Sequence, residues 1–258
     1  MKISTLAGFF LLLFMSGAEL HSQTREYYQI KIYTFDNDQQ QKLTDEYLAN
    51  AYLPALHRLG INSVGVFKTR PEHSKEKTQT FVLIPLSDLS QLETIPDALA
   101  QDRKHTKSGK DYLTAPHNEP PYARIESIVL RAFDHMPQMK PSTVEGPRKD
   151  RIYELRSYEG ATEALHENKV EMFNKGGEIK IFEDLGFNAV FYGQVLSGCH
   201  MPNLMYMTTF KDQESRDTHW DAFRNAPEWH ALKNQAPYQN NVSGSKTFFL
   251  YPTAYSDY

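Results

Sequence analysis

A single cysteine, Cys199, stands in a chain of 258 residues. That count excludes a disulfide framework within one chain and any zinc site built from several thiolates. Positive charge is not in surplus either: 28 Lys and Arg face 32 Asp and Glu, for a net charge of -4. The electrostatic footprint of a nucleic-acid binder is therefore missing. A mean hydropathy of -0.58 excludes a polytopic membrane protein. The metalloprotease HExxH, the GxSxG nucleophile elbow and the CxxC redox pair are all absent. Gly193 to Gly198 has the glycine spacing of a phosphate loop, but Cys199-His200 occupies the place of the required Lys-Ser/Thr. What the chain does have is ordinary globular composition, with 40% hydrophobic residues, 15 Tyr and 15 Phe. Its length fits one or two domains.

Residues 1–22 read as a targeting segment. Lys2 supplies a short positive start, Leu6 to Met15 an apolar stretch, and Ser16-Gly17-Ala18 the small residues read by a signal peptidase. Cleavage is expected after Ala18, with Ser22 as the alternative. The apolar stretch is shorter than the roughly 20 residues a membrane helix needs. After removal of this segment no membrane span is expected, and the mature protein is expected to be exported, periplasmic or extracellular. Cys199 is then expected as a free, partly buried thiol.

An internal repeat organises the rest. Tyr28-Gln-Ile-Lys-Ile-Tyr33 aligns with Tyr153-Glu-Leu-Arg-Ser-Tyr158, Leu59-Gly-Ile-Asn-Ser-Val64 with Leu185-Gly-Phe-Asn-Ala-Val190, and Phe81 to Asp88 with Met205 to Asp212. Each copy reads β-α-β-β-α-β. Alternation of bulky and polar residues marks Ile152 to Tyr158 as a half-buried strand, and Leu165, Met172, Ile179 and Phe182 recur at helical spacing. Gly176-Gly177 is expected to loosen or kink that helix, Pro54 to kink its counterpart over 38–58, and Asp212 to cap the helix carrying Trp220 and Phe223. The division predicted is a ferredoxin-like domain over 26–133, a proline-bearing linker over 134–149, a second such domain over 150–252, and a tail over 253–258. The fold class is α+β, two tandem ferredoxin-like (βαββαβ) domains forming a pseudo-dimeric α/β barrel. Each four-stranded sheet has helices on one face only, and facing the two bare faces together hides them. The enclosed space is either packed solid or a ligand pocket.

Arg151 to Tyr158, Met172-Phe-Asn-Lys-Gly-Gly-Glu178, Leu185-Gly-Phe187, Met201 to Phe210, and His219-Trp-Asp-Ala-Phe223 with Pro227-Glu-Trp229 resemble successive blocks of the NIPSNAP family. The resemblance covers about 150–252, and the first copy looks like a diverged member of the same domain. It implies the dimeric α/β barrel fold and little about activity. The wider fold group includes small-molecule monooxygenases and haem-handling enzymes, a likeness of fold alone. No resident cofactor is predicted. A haem is what the haem-handling members imply, although Ile152 to Tyr158 lacks the asparagine they use.

The densest polar and aromatic cluster is Tyr206, Arg216, His219, Trp220, Trp229 and His230. His219 and His230, with Trp220, are the catalytic candidates, because imidazole exchanges protons near neutral pH. Arg216 and Trp220 are four apart, the spacing for a cation–π contact on a helix. Ligand-binding candidates are Tyr153, Tyr206, Arg216, His200, Asn203 and Trp229. Tyr153, Tyr158, Tyr192 and Tyr206 are read as lining an interior, and His200 beside Cys199 as standing at the barrel mouth, with Asn203 in a turn. Too few soft donors gather there to propose a metal. Glu163-Ala-Leu-His166 reads as a solvated helix face, and Arg103 to Lys110 as a solvated basic loop. The expected functions are small-molecule binding in the barrel, oxygenase chemistry at the histidines, or a protein-interaction module. A homo-oligomer is compatible with all three.

Overall fold

The computed structural model describes residues 24–73 and 78–258. The predicted targeting segment lies outside these residues. Strand β1 (Tyr27–Thr34) leads into α1 (Asp38–Tyr47), whose first turn is capped by Asn37 accepting from the Gln40 amide. The helix widens into a π turn over Leu48–Tyr52 and resumes as α2 (Leu53–Arg58). Pro54 lacks the amide that a regular helix would need there, so the wide turn sits where proline forbids a normal bond. Strands β2 (Gly65–Thr69) and β3 (Gln79–Leu86) follow, then α3 (Gln91–Gln101), α4 (Arg103–Ser108), α5 (Lys110–Leu113) and β4 (Arg124–Ala132). The basic stretch read as a loop is therefore helical. Asp102 nucleates α4 by accepting from the amides of Lys104 and His105.

The second half repeats the order. It runs β5 (Ile152–Glu159), α6 (Glu163–Phe173), α7 (Glu178–Asp184), β6 (Asn188–Ser197), β7 (Asn203–Phe210), α8 (Gln213–Asn225), α9 (Pro227–Lys233) and β8 (Gly244–Pro252). The break between α6 and α7 falls at the glycine pair. A side chain on Gly176 would meet the Met172 carbonyl at 2.6 Å, and Gly177 has a φ of 93°. Asp212 caps α8 through the Ser215 amide.

The eight strands of the described residues close into one barrel in the order β1-β3-β2-β8-β5-β7-β6-β4. Within each half the order is that of a ferredoxin-like sheet, with Lys31 opposite Val82 in the first and Arg156 opposite Tyr206 in the second. The halves join at two seams, β2 against β8 and β4 against β6. The two sheets thus meet edge to edge as well as face to face. The barrel interior is packed by Tyr28, Phe67, Phe81, Leu130, Tyr153, Leu155, Phe191 and Met207, among others. A second core fills the space between the first half's sheet and its helices, and a third does the same in the second half. No helix among the described residues is long and apolar enough to cross a membrane.

Candidate functional site

Strand alternation decides which residues meet. Along β5, Tyr153, Leu155, Ser157 and Glu159 point into the barrel, whereas Glu154, Arg156 and Tyr158 point out beneath α6, α7 and α8. Of the four tyrosines expected to line the interior, only Tyr153 does so. Tyr158, Tyr192 and Tyr206 belong to the outer core, where the hydroxyls of Tyr158 and Tyr206 share a hydrogen bond of 3.0 Å. Burial raises the Tyr206 phenol well above its ordinary range, so it stays protonated.

Outside the barrel, the predicted cluster comes together around a residue that spacing did not reveal. Glu154 is fully buried. Its carboxylate accepts from Arg216 Nε at 2.7 Å, Arg216 Nη2 at 3.1 Å and Trp220 Nε1 at 2.9 Å. The Arg156 guanidinium lies 3.4 Å from the same carboxylate and 4.3 Å from the Trp220 ring, closer to that ring than Arg216 at 5.8 Å. Nearby, Lys169 and Glu178 form a buried ion pair at 2.7 Å, and Lys169 also approaches the Trp229 ring at 5.7 Å. Burial pushes the Glu178 carboxyl up, and Lys169 pulls against that rise. His219 is half-buried against Phe187 and Phe210, with Nδ1 2.6 Å from the Ser215 carbonyl. His230 is exposed on α9. Arg216, Trp220, Tyr206 and Trp229 therefore share one network, and the two histidines stand at its margin.

The barrel itself opens at one end. A cavity of about 350 Å³ is lined there by the inward ends of strands from both halves. Ile32, Ile128, Met205 and Phe248 form its apolar floor, and Gln79, Glu126, Ser157, Glu159, Asn203 and Lys246 its polar wall. Asn203 is the first residue of β7, not a turn residue, and is 3% exposed. Its amide nitrogen donates to Ser157 Oγ at 2.9 Å, and the Ser157 hydroxyl donates to Asn203 Oδ1 at 3.0 Å. His200 stands at the lip with Nδ1 3.3 Å from Glu159, beside Cys199, which is exposed and not partly buried. An imidazole against a carboxylate can pass a proton to a molecule held below it.

His200 and Asn203 are thus brought to one site. His219, His230 and Trp220 lie on the outer helix layer, away from it. A haem needs an axial ligand over a cavity, and those three residues do not supply one to the barrel. Among the described residues no group of three or more metal-ligating side chains forms. Ser157, Glu159, Glu126 and Lys246 escaped the sequence reading. The available signal was an inward stripe, Tyr153-Leu155-Ser157-Glu159, that turns from apolar to polar where the barrel opens. His166, read as solvated, is buried and shares a 3.3 Å contact with Gln194.

Comparison with known proteins agrees with this architecture. Residues 153–257 match the NIPSNAP family model. A proposed monooxygenase of Lactobacillus acidophilus superposes with a TM-score of 0.57 at 9% identity, covering 88% of this chain and 94% of its own. A proposed monooxygenase of Fusobacterium nucleatum gives 0.54 at 13% identity, over 89% and 93% of the two chains. An anthrone oxidase-like protein gives 0.52 at 11% identity, over 90% and 93%. No curated protein matches the sequence. At these identities the likeness establishes the fold: a dimeric-type α/β barrel made by one chain.

Proposed function

We propose that this chain is a NIPSNAP-like single-chain barrel, exported under the direction of residues 1–22, that binds a small molecule at the open end of its barrel. The observation that carries this reading is the 350 Å³ cavity between the two halves, apolar below and polar at the rim. Its volume falls within the roughly 300–1,000 Å³ typical of small-ligand sites. Phe248, Met205, Ile32 and Ile128 would hold an aliphatic or aromatic body. Ser157 and Asn203 would orient a polar head group, with Lys246 and the His200–Glu159 pair above it.

The test is native mass spectrometry of the full chain recovered from the exported fraction. A bound small molecule at one copy per chain is expected. Lys246→Trp, placed on the exposed rim, should remove it without lowering the melting temperature. An unliganded wild-type protein, or an adduct that survives Lys246→Trp, would overturn the assignment.

A further inference from the structure

The repeat makes the two halves readable against each other, and one difference stands out on their outer faces. In the second half, Arg156 projects from the first strand of its sheet, is neutralised by Glu154 and is covered by Trp220 from α8. In the first half, the matching positions of β1 hold Lys31 for Arg156 and Gln29 for Glu154. The carboxylate is gone while the cation remains. The corresponding helix, α3, brings Leu92, Ile95, Pro96 and Leu99 rather than a tryptophan and an arginine. Where the second half is filled, the first half has a cavity of about 450 Å³.

Among the described residues Lys31 has no ion pair and no hydrogen-bond acceptor. Its ammonium group lies 5.1 Å from the Tyr52 ring and 5.7 Å from that of Tyr33. Burial lowers its pKa, the sign of a cation that lacks compensation. The other polar groups around the cavity cannot supply a negative charge. His105 has Nδ1 2.9 Å from the Leu99 carbonyl and Nε2 3.1 Å from the Tyr47 hydroxyl. The carbonyl requires the proton on Nδ1, so Nε2 accepts from Tyr47. Gln29 donates to Ser127. The Tyr47 phenol is held protonated by burial. The walls are Tyr47, Tyr52, Leu92, Ile95 and Leu99, and the rim is formed by the exposed Pro96, Ala100, Thr106 and Leu113, so the space reaches solvent.

We infer that this cavity binds a small monocarboxylate with an aliphatic or aromatic body, the carboxylate pairing with Lys31 where Glu154 pairs with Arg156 in the other half. The site is separate from the barrel mouth and lies on the opposite face of the same sheet. Bound carboxylate replaces the missing acid of the repeat, and the ligand body takes the volume that Trp220 fills in the second half.

The experiment is calorimetric titration of the full chain with octanoate and with 4-phenylbutyrate, and with octanol as the uncharged control. Binding of at least one carboxylate is expected. Lys31→Met should weaken it about 10- to 100-fold, the equivalent of one charge-assisted hydrogen bond. Lys31→Arg, which keeps the charge, should retain most of the affinity, and octanol should bind both proteins alike. Ala100→Trp at the rim should block entry, and thermal melts of each variant establish that the fold is kept. Lys246→Trp at the barrel mouth should leave octanoate binding unchanged, so this inference and the barrel assignment fail independently. The inference is overturned if neither carboxylate binds at about 10 mM. It is equally overturned if Lys31→Met binds as well as the wild type, or if Lys246→Trp is the variant that loses binding.

Discussion

Replacing Glu154 with leucine tests the outer network of the second half directly. The substitution keeps a side chain of similar volume and removes the carboxylate shared by Arg216, Trp220 and Arg156. Removing one member of a buried ion pair ordinarily costs about 3–5 kcal/mol, because its partner stays buried and uncompensated. Here water moderates the loss, since the Arg216 and Arg156 side chains remain 18% and 20% exposed. The Trp220 N–H is buried and would have no acceptor, which by itself costs about 1–3 kcal/mol. These contributions overlap, and the lower end of the range applies, about 3 kcal/mol. For a chain of this size that corresponds to a fall of about 6–12 °C in Tm. Glu154→Gln retains an acceptor oxygen and should lose only about 1–2 kcal/mol. Urea unfolding, followed by the fluorescence of Trp220 and Trp229, reads both changes as shifts in midpoint at constant slope. A leucine variant within about 1 kcal/mol of wild type would refute the argument. So would a glutamine variant as unstable as the leucine one.

Other expectations follow from the same geometry. The exposed Cys199 should react with a thiol reagent in the native protein at one equivalent per chain; labelling that requires denaturant would contradict its placement on the β6–β7 hairpin. Burial lowers the His166 pKa below 6.5, so the unfolded chain takes up this proton first. Above the unfolded value the group does not affect stability, and as pH falls from there toward the folded value the native state loses stability. His166→Gln should remove that loss. A wild-type-minus-variant difference in urea midpoint that stays constant from about pH 7.5 to about pH 5 would count against it.

Much of the architecture was legible in the sequence because its determinants are local. The alternation in Tyr28 to Tyr33 and in Tyr153 to Tyr158 sets strand faces, and Gly176-Gly177 and Asp212 set helix ends, all within a few residues. The repeat then supplied the pairing of elements. Glu154 was different. Its partners Arg216 and Trp220 are 62 and 66 residues away, and no spacing encodes that meeting. Tyr158 and Tyr206 were placed on the wrong side of the sheet for a related reason. Aromatic content marks a strand as buried, but both faces of these strands are buried, so burial alone does not say which way is in. The basic stretch after Asp102 shows the opposite error, since charge was read as loop when the capping aspartate had already specified a helix.

The two seams carry a further consequence. In a closed ring every strand has a neighbour on each side, so the described residues offer no free strand edge for another chain to extend. Both seams are short: β2 meets β8 over Phe67, Lys68 and Thr69, and β4 meets β6 across a bulge between Val129 and Leu130. Parting them would uncover four edges at once, two on each half, each complementary to an edge of the other half. Two chains opened in this way would close onto one another, first half to second half in each direction, and rebuild the same pairings between molecules. Domain exchange into a swapped dimer, not edgewise growth, is therefore the assembly route this topology favours.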